Sequence, residues 1–455
     1  IDKTISNIFN IQSVVGAEVN RAATSGLQNR LYGYNAERAG ISSVDYLTLF
    51  PSFVNPAGTN LIPFKDDVSK LTDRFVSYYQ NSSISIASKY VLTASTRFDQ
   101  SNIFGVRTNQ KGVPLWSVGL AWSINKENFF KADLFSQLKL RTTYGLSGNV
   151  NRNLSAFTTA SYMGLAPFSR LPYATIQNPP NAELRWERTK VFNVGIDFGL
   201  LKNRINGSFD YFQKRGVDLI GDAPYPASSG VTRYRGNVAA SKGHGYELLL
   251  NGLIVDEAFR WNSTLMLSQA KDIVSDYMDL TISGLNMIQG TSINPRVGKP
   301  LYSMYSFDTE GLDPVTGDPI GILNGEQSTD WNAVISKTKI EDLLYYGSSR
   351  PTTNASFRNT FNWRNWNLTT NISYRANYFY RLNSIRYTYN NVLDNGLESR
   401  HADYLRRWIN PGDEQHTTIP SVPTTANGNR DNLYLYGESL IRRADHIRWE
   451  DLAVS

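Results

Sequence analysis

Apolar and polar residues alternate with period two along most of the chain. In Phe9–Asn20, Phe9, Ile11, Val15, Ala17 and Val19 share one face, while Asn10, Gln12, Glu18 and Asn20 share the other. Such alternation predicts an amphipathic strand, because successive side chains of extended backbone point to opposite faces. The pattern returns in Trp116–Ile124, Leu138–Leu146, Phe192–Phe198 and Leu368–Tyr374. Further strands fit near 72–88, 91–100, 204–215, 242–252, 259–271, 352–363 and 446–455. The pattern predicts about twelve strands, with ends placed to within a few residues. Helix is scarce: Asn128–Phe135 and Ile340–Tyr345 could each form a turn or two.

The connections alternate in length. Short turns are expected at Lys89-Tyr90, Leu201–Arg204 and Arg364-Asn365, and long ones at 22–71, 101–113, 149–182, 216–240, 272–351 and 376–445. Long unstructured loops are uncommon in compact soluble domains. Short turns at one end and long loops at the other describe an outer-membrane β-barrel. Trp122, Phe129, Phe130, Phe198, Trp261, Trp363 and Trp366 gather near the short-turn ends, as an interfacial aromatic girdle would. The fold expected is therefore all-β: a transmembrane antiparallel barrel in which lipid forces the sheet to satisfy its own backbone. The strands predicted are longer than the roughly 5–6 residues typical of soluble sandwiches.

Composition changes this picture little. Lys and Arg exceed Asp and Glu by 46 to 40 in 455 residues, without a basic run of the kind that marks a nucleic-acid tail. The negative mean hydropathy of −0.37 and the lack of any long apolar stretch exclude helical spans only. The absence of cysteine removes thiol, disulfide and Cys-based metal chemistry. Charged residues fall on the polar face: Arg97, Asp99, Lys139, Arg141, Asp197, Asp210, Glu247 and Arg358. A packed core would not accept them unpaired, whereas a wide, wetted or plugged lumen would.

Catalytic chemistry is not evident. His244, His401, His416 and His446 have no metal-ligand spacing, and no phosphate-binding glycine loop follows a strand. Asp313–Asp318 lacks the alternating ligands of a calcium loop and reads as a turn. Neither a cofactor nor a metal is expected, and the protein is not expected to be an enzyme. The long loops hold aromatics suited to stacking on sugars or peptides, or to packing on each other or on a partner: Tyr302, Tyr305, Trp331, Tyr345, Tyr346, Tyr378, Tyr380, Tyr387 and Tyr389. Both chain ends read as cut.

Several runs resemble the SusC/RagA group of TonB-dependent outer-membrane transporters of Bacteroidetes. They are Tyr90–Asp99 with its Arg97-x-Asp99 ending, Trp116–Phe129, and Leu138–Asn149, close to the group's "LKLR-x-SYG-x-x-GN". Gly243–Leu248, Gly311–Pro319 and Ser439–Arg448 follow in the same order as in the group. Ser101–Phe104 departs from its usual "GSSRFG". The resemblance implies a 22-stranded barrel of which this chain, 1–455, forms a partial barrel domain of roughly strands nine to twenty, without the plug. It implies energised import of an oligosaccharide or peptide, a SusD-like surface lipoprotein, coupling to TonB–ExbB–ExbD through the plug, a possible homodimer of such pairs, and contact with outer-membrane lipid. The lumen residues Arg97, Asp99, Lys139, Arg141, Asp197, Glu247 and Arg358 would line the path or hold the plug. The alternatives are a plugless porin or protein-export barrel, and a secreted all-β glycan-binding protein or propeller enzyme.

Overall fold

A computed structural model describes residues 2–5, 8–53, 58–64, 67–102, 112–152, 154–166, 168–169, 171–278, 283–290, 295–387 and 401–455. Thirteen strands form one antiparallel sheet in sequential order. They are β1 (Asp2–Ile5), β2 (Phe9–Gln28), β3 (Asp67–Ile86), β4 (Tyr90–Ser101), β5 (Gly112–Ser123), β6 (Phe135–Asn149) and β7 (Glu187–Leu200). Then come β8 (Ile205–Pro224), β9 (Arg233–Asp256), β10 (Phe259–Tyr277), β11 (Thr353–Trp363), β12 (Trp366–Ala376) and β13 (His446–Val454). β1 and β13 are the two edges, so the sheet is an open arc of barrel wall.

The register places the two faces as the alternation predicts. On one face Leu140 lies opposite Ile196, Ile196 opposite Phe209, Phe209 opposite Leu248, and Leu248 opposite Leu267. These rows continue through Ala355 to Tyr374 and Ile447. Exposed apolar residues on this face include Val15 and Val19, at 76% and 80%. Water would not tolerate so broad an apolar surface, but lipid solvates it. Several neutral polar residues on this face pair with one another. Ser13 and Ser82 hydroxyls meet at 2.9 Å, Trp261 Nε1 donates to Asn359 Oδ1 at 3.0 Å, and Trp449 Nε1 donates to Thr370 Oγ1 at 2.9 Å. In hydrocarbon an unbonded polar group costs several kcal/mol, about what these bonds avert.

The short-turn end is as expected, with Trp363 and Trp366 flanking the two-residue turn between β11 and β12. Residues 124–134 join β5 to β6 through one 3-10 turn at Ile124–Lys126, and the helix expected over Asn128–Phe135 does not form. Ile340–Asp342 is a single 3-10 turn. At the other end, the long loop expected at 216–240 is mostly strand: β8 and β9 pair out to Pro224 and Arg233, leaving 225–232 as the connection. Cross-strand pairing sustains this extension past a bulge after Gly216.

The two longest connections fold together. Helices α1 (Gly284–Gln289), α2 (Trp331–Lys337) and α3 (Gly428–Leu435) start at the side-chain caps Ser283, Asp330 and Asn427. Met287, Ile288, Tyr305, Phe307, Val334, Ile335, Leu343 and Leu433 make one core. Ile385, Tyr387, Ile419, Tyr434 and Leu440 make another. The long-loop end thus carries a folded cap.

Candidate functional site

The face opposite the lipid-type face is polar and charged. Arg141, Gly195 and Asp210 occupy one row across β6, β7 and β8. Gly195 has no side chain, so the Arg141 guanidinium spans it to reach Asp210 Oδ2 at 3.2 Å. Its Nε and Nη2 also donate to both oxygens of Asp197, at 2.8 and 2.7 Å. A Cβ on Gly195 would lie 2.2 Å from Asp210 Oδ1 and 3.0 Å from Arg141 Nη2. Forked geometry of this kind is the strong form of an ion pair. Its charge is answered within the wall.

Arg97 makes a second cluster on β4. Its Nε donates to Asp99 at 2.6 Å and its Nη2 to Ser77 at 3.0 Å and Glu18 at 3.2 Å. Glu18, Ser77, Arg97, Asp99, Arg152 and Trp186 surround a hollow of about 290 Å³. Glu247 lies directly opposite Asp210, and like charges in that position repel. Lys139 faces Asp197 across the β6–β7 pair, and Arg358 faces Asn371 across β11–β12. Among the described residues Lys139, Glu247 and Arg358 form no ion pair. A second hollow of about 530 Å³ is lined by Asp210, Glu247, Met266, Ser268, Asn354 and Arg375. All seven wall residues singled out from sequence thus share the polar face, but in different roles. Arg97, Asp99, Arg141 and Asp197 bind one another or near neighbours, whereas Lys139, Glu247 and Arg358 form no such pair among the described residues.

The cap divides the aromatic candidates. Tyr305 and Tyr387, each 6% exposed, belong to its cores and offer no contact surface. Burial pushes the Tyr387 hydroxyl well above the ordinary phenol range and its neighbour Tyr434 up to about 12. Tyr302 stacks under Arg350, with 3.3 Å from guanidinium carbon to ring centroid. Lys299 sits over Tyr345 at 4.0 Å, and Trp331 Nε1 donates to the Pro319 carbonyl at 2.9 Å. Tyr346 hydrogen-bonds Ser306, and Tyr378 hydrogen-bonds the His446 ring. Tyr345 and Tyr380 are the exposed members. Tyr389 lies outside the described residues.

Sequence reasoning missed the cap's buried charge. Arg430, 1% exposed, donates from Nε to Asp318 at 2.6 Å and from Nη2 to the Ser421 carbonyl at 2.7 Å. This explains the Asp313–Asp318 run as structure. Asp313 Oδ1 accepts from the Val315 and Thr316 amides at 2.9 and 2.8 Å, bonds that hold its carboxyl below the usual range. Gly317, at φ +68°, packs where a Cβ would strike the Trp408 ring. Arg381 is half-buried, bonded to the Ile288 and Tyr305 carbonyls, and desolvation lowers its pKa to about 10.

An antiparallel meander with one lipid-compatible face, one charged face, short turns at one end and a folded cap at the other defines a segment of transmembrane β-barrel wall. Residues 4–303 match the model of the family described as TonB dependent receptor-like, beta-barrel, and the chain belongs to that family. TonB-dependent receptor P3 of Formosa agariphila is 27% identical over 394 residues, covering 81% of this chain and 37% of that protein. TonB-dependent receptor SusC of Bacteroides thetaiotaomicron is 30% identical over 196 residues, covering 41% of this chain and 19% of SusC. The RagAB peptide importer in its open-open state superposes with a TM-score of 0.74 at 19% identity, covering 100% of this chain and 46% of that one. Membership of that family places the chain in the outer membrane. It spans less than half the length of these relatives. The family is one of receptors and transporters.

Proposed function

We propose that this chain supplies about half the barrel of a TonB-dependent importer that takes up an oligosaccharide or peptide. A SusD-like surface lipoprotein would hold substrate against the cap, and TonB–ExbB–ExbD would act through a plug seated on the lumen wall. The arc would correspond to roughly strands nine to twenty of a 22-stranded barrel, with pairs of the two proteins assembling as a dimer. The observation that carries this reading is the two-part polar face. Arg141, Asp197 and Asp210 neutralise one another in the wall, while Glu247, Lys139 and Arg358 lie on the same polar face without an ion pair among the described residues. A wall that only needed stability would not retain such groups. A path for a polar substrate, or a seat for a polar plug, uses them. Within the cap, exposed Tyr380 would offer its ring to a sugar or peptide.

The test is uptake by cells carrying the full-length receptor and its neighbouring lipoprotein. Glu247→Lys and Arg358→Glu are expected to reduce uptake of labelled oligosaccharide or peptide at least several-fold, with normal barrel insertion by heat-modifiable mobility. Wild-type uptake by both variants would count against the reading.

A further inference from the structure

The lipid-type face of the wall changes character near the cap. Lys190, Arg215 and Lys242 are consecutive residues of one cross-strand row on β7, β8 and β9. In the adjacent row toward the short turns, Phe192 faces Gln213, Gln213 faces His244, and His244 faces Lys271 of β10. Strand parity puts all of these on the same face as Val194, Ile196, Phe209 and Leu248, outside the barrel. Lys190, Arg215, Lys242, His244 and Lys271 are all exposed. They line a groove of about 590 Å³ together with Tyr144, Phe192 and Tyr211.

Neighbouring strands are about 4.8 Å apart, so three cations lie within roughly 10 Å of one another. Directly opposed like charges destabilise a sheet. No carboxylate lines the groove. The lumen-side Asp272 faces Gly243, and Asp276 faces Ala240 further toward the cap. The nearest carboxylate on β8, Asp218, is held by Arg185 and Arg188. Among the described residues none of the four Lys and Arg side chains makes an ion pair.

Their height is informative. Lys190 is ten residues up β7 from Leu200 at the short turn. At about 3.3 Å per residue and a tilt near 40–45°, that is roughly 25 Å along the barrel axis, the height of the apolar band of an outer-membrane barrel. The cations therefore stand where outer-leaflet headgroups begin. Tyr211 and Tyr246, with ring centroids 5.1 Å apart, lie just beneath, at the depth of an interfacial aromatic belt.

We propose that Lys190, Arg215, Lys242 and Lys271, with His244 and Gln213 as further hydrogen-bonding groups, form a binding site for the phosphorylated headgroup of an outer-leaflet glycolipid. The anion supplies the charge that the chain withholds, and acyl chains continue down the wall over Phe192, Val194 and Phe209. The site is on the outer surface, separate from the lumen, and does not depend on which substrate is imported.

The experiment uses the full-length receptor in mild detergent, titrated with diphosphoryl lipid A, its dephosphorylated form, or inorganic phosphate, and read by native mass spectrometry. Diphosphoryl lipid A is expected to bind and survive detergent exchange. The triple variant Lys190→Gln/Arg215→Gln/Lys242→Gln should weaken it about a hundredfold, at about fivefold per cation removed. Lys190→Arg/Lys242→Arg should bind as the parent does, which separates loss of charge from loss of fold. Equal retention of the dephosphorylated lipid, or undiminished binding by the triple variant, would overturn the proposal. So would inorganic phosphate binding as tightly as the lipid, since that would make the groove a free-anion site.

Discussion

Gly195 shows how a single residue arranges charge on the wall. Its missing side chain lets Arg141 bridge from β6 to β8, and the space is already filled by Arg141 and Asp210. Gly195→Val is expected to separate the pair and destabilise the barrel by about 1–3 kcal/mol, the range for overpacking. A lowered thermal midpoint, with lipid-facing Ile196→Val affected less, would show it. The sequence displayed Arg141 and Asp197 as polar-face residues, because parity alone decides the face. That Arg141 is answered within the wall was not legible, since this depends on which residue stands beside it on the next strand. The cationic groove was partly legible: Lys190 continues the parity of Phe192, Val194 and Ile196. Only the register shows that it meets Arg215 and Lys242.

The elements carry two local devices that can be tested separately. At the short-turn end, Glu127 accepts from Lys89 Nζ at 2.9 Å, the Tyr90 hydroxyl at 2.5 Å and Trp122 Nε1 at 3.1 Å. These bonds, that of Lys89 foremost, lower its pKa from 4.5 to about 2. A depressed carboxylate stabilises above its unfolded pKa and loses that contribution as pH falls through the folded one. The docking of 124–134 should therefore hold at neutral pH and loosen between about pH 4.5 and 2, read by Trp122 fluorescence. Glu127→Gln should abolish that transition, and an unchanged transition would refute the assignment. In the cap, Arg430→Met leaves Asp318 and the Ser421 carbonyl without their partner. Breaking such a buried pair costs about 3–5 kcal/mol. Limited proteolysis is expected to cut within 401–445 while the barrel keeps its heat-modifiable mobility. The cap helices, which start at Ser283, Asp330 and Asn427, were not legible in the sequence. Their cores draw on residues more than a hundred positions apart, such as Met287 and Leu433, which no local period reveals.

At the scale of the whole molecule, alternation was enough to read the class of fold, because a lipid face and a lumen face impose the same period on every strand. Strand ends were less legible. β8 and β9 continue beyond the band where lipid demands apolar residues, so their polar upper halves read as loop. Loop aromatics such as Tyr305 and Tyr387 could not be sorted into surface and core, since both uses favour the same residues. One face of this wall is expected to meet lipid and the other a wet lumen. The chain's lack of cysteine makes it directly measurable. Single cysteines at Ser268 and Ser356 on the lumen face, and at Leu267 and Phe357 on the outer face, would be placed in the full-length receptor, cleared of other cysteines and held in outer membranes. A membrane-impermeant maleimide is expected to label Ser268→Cys and Ser356→Cys and to spare Leu267→Cys and Phe357→Cys. Labelling of both faces alike would contradict the barrel wall and the account built on it.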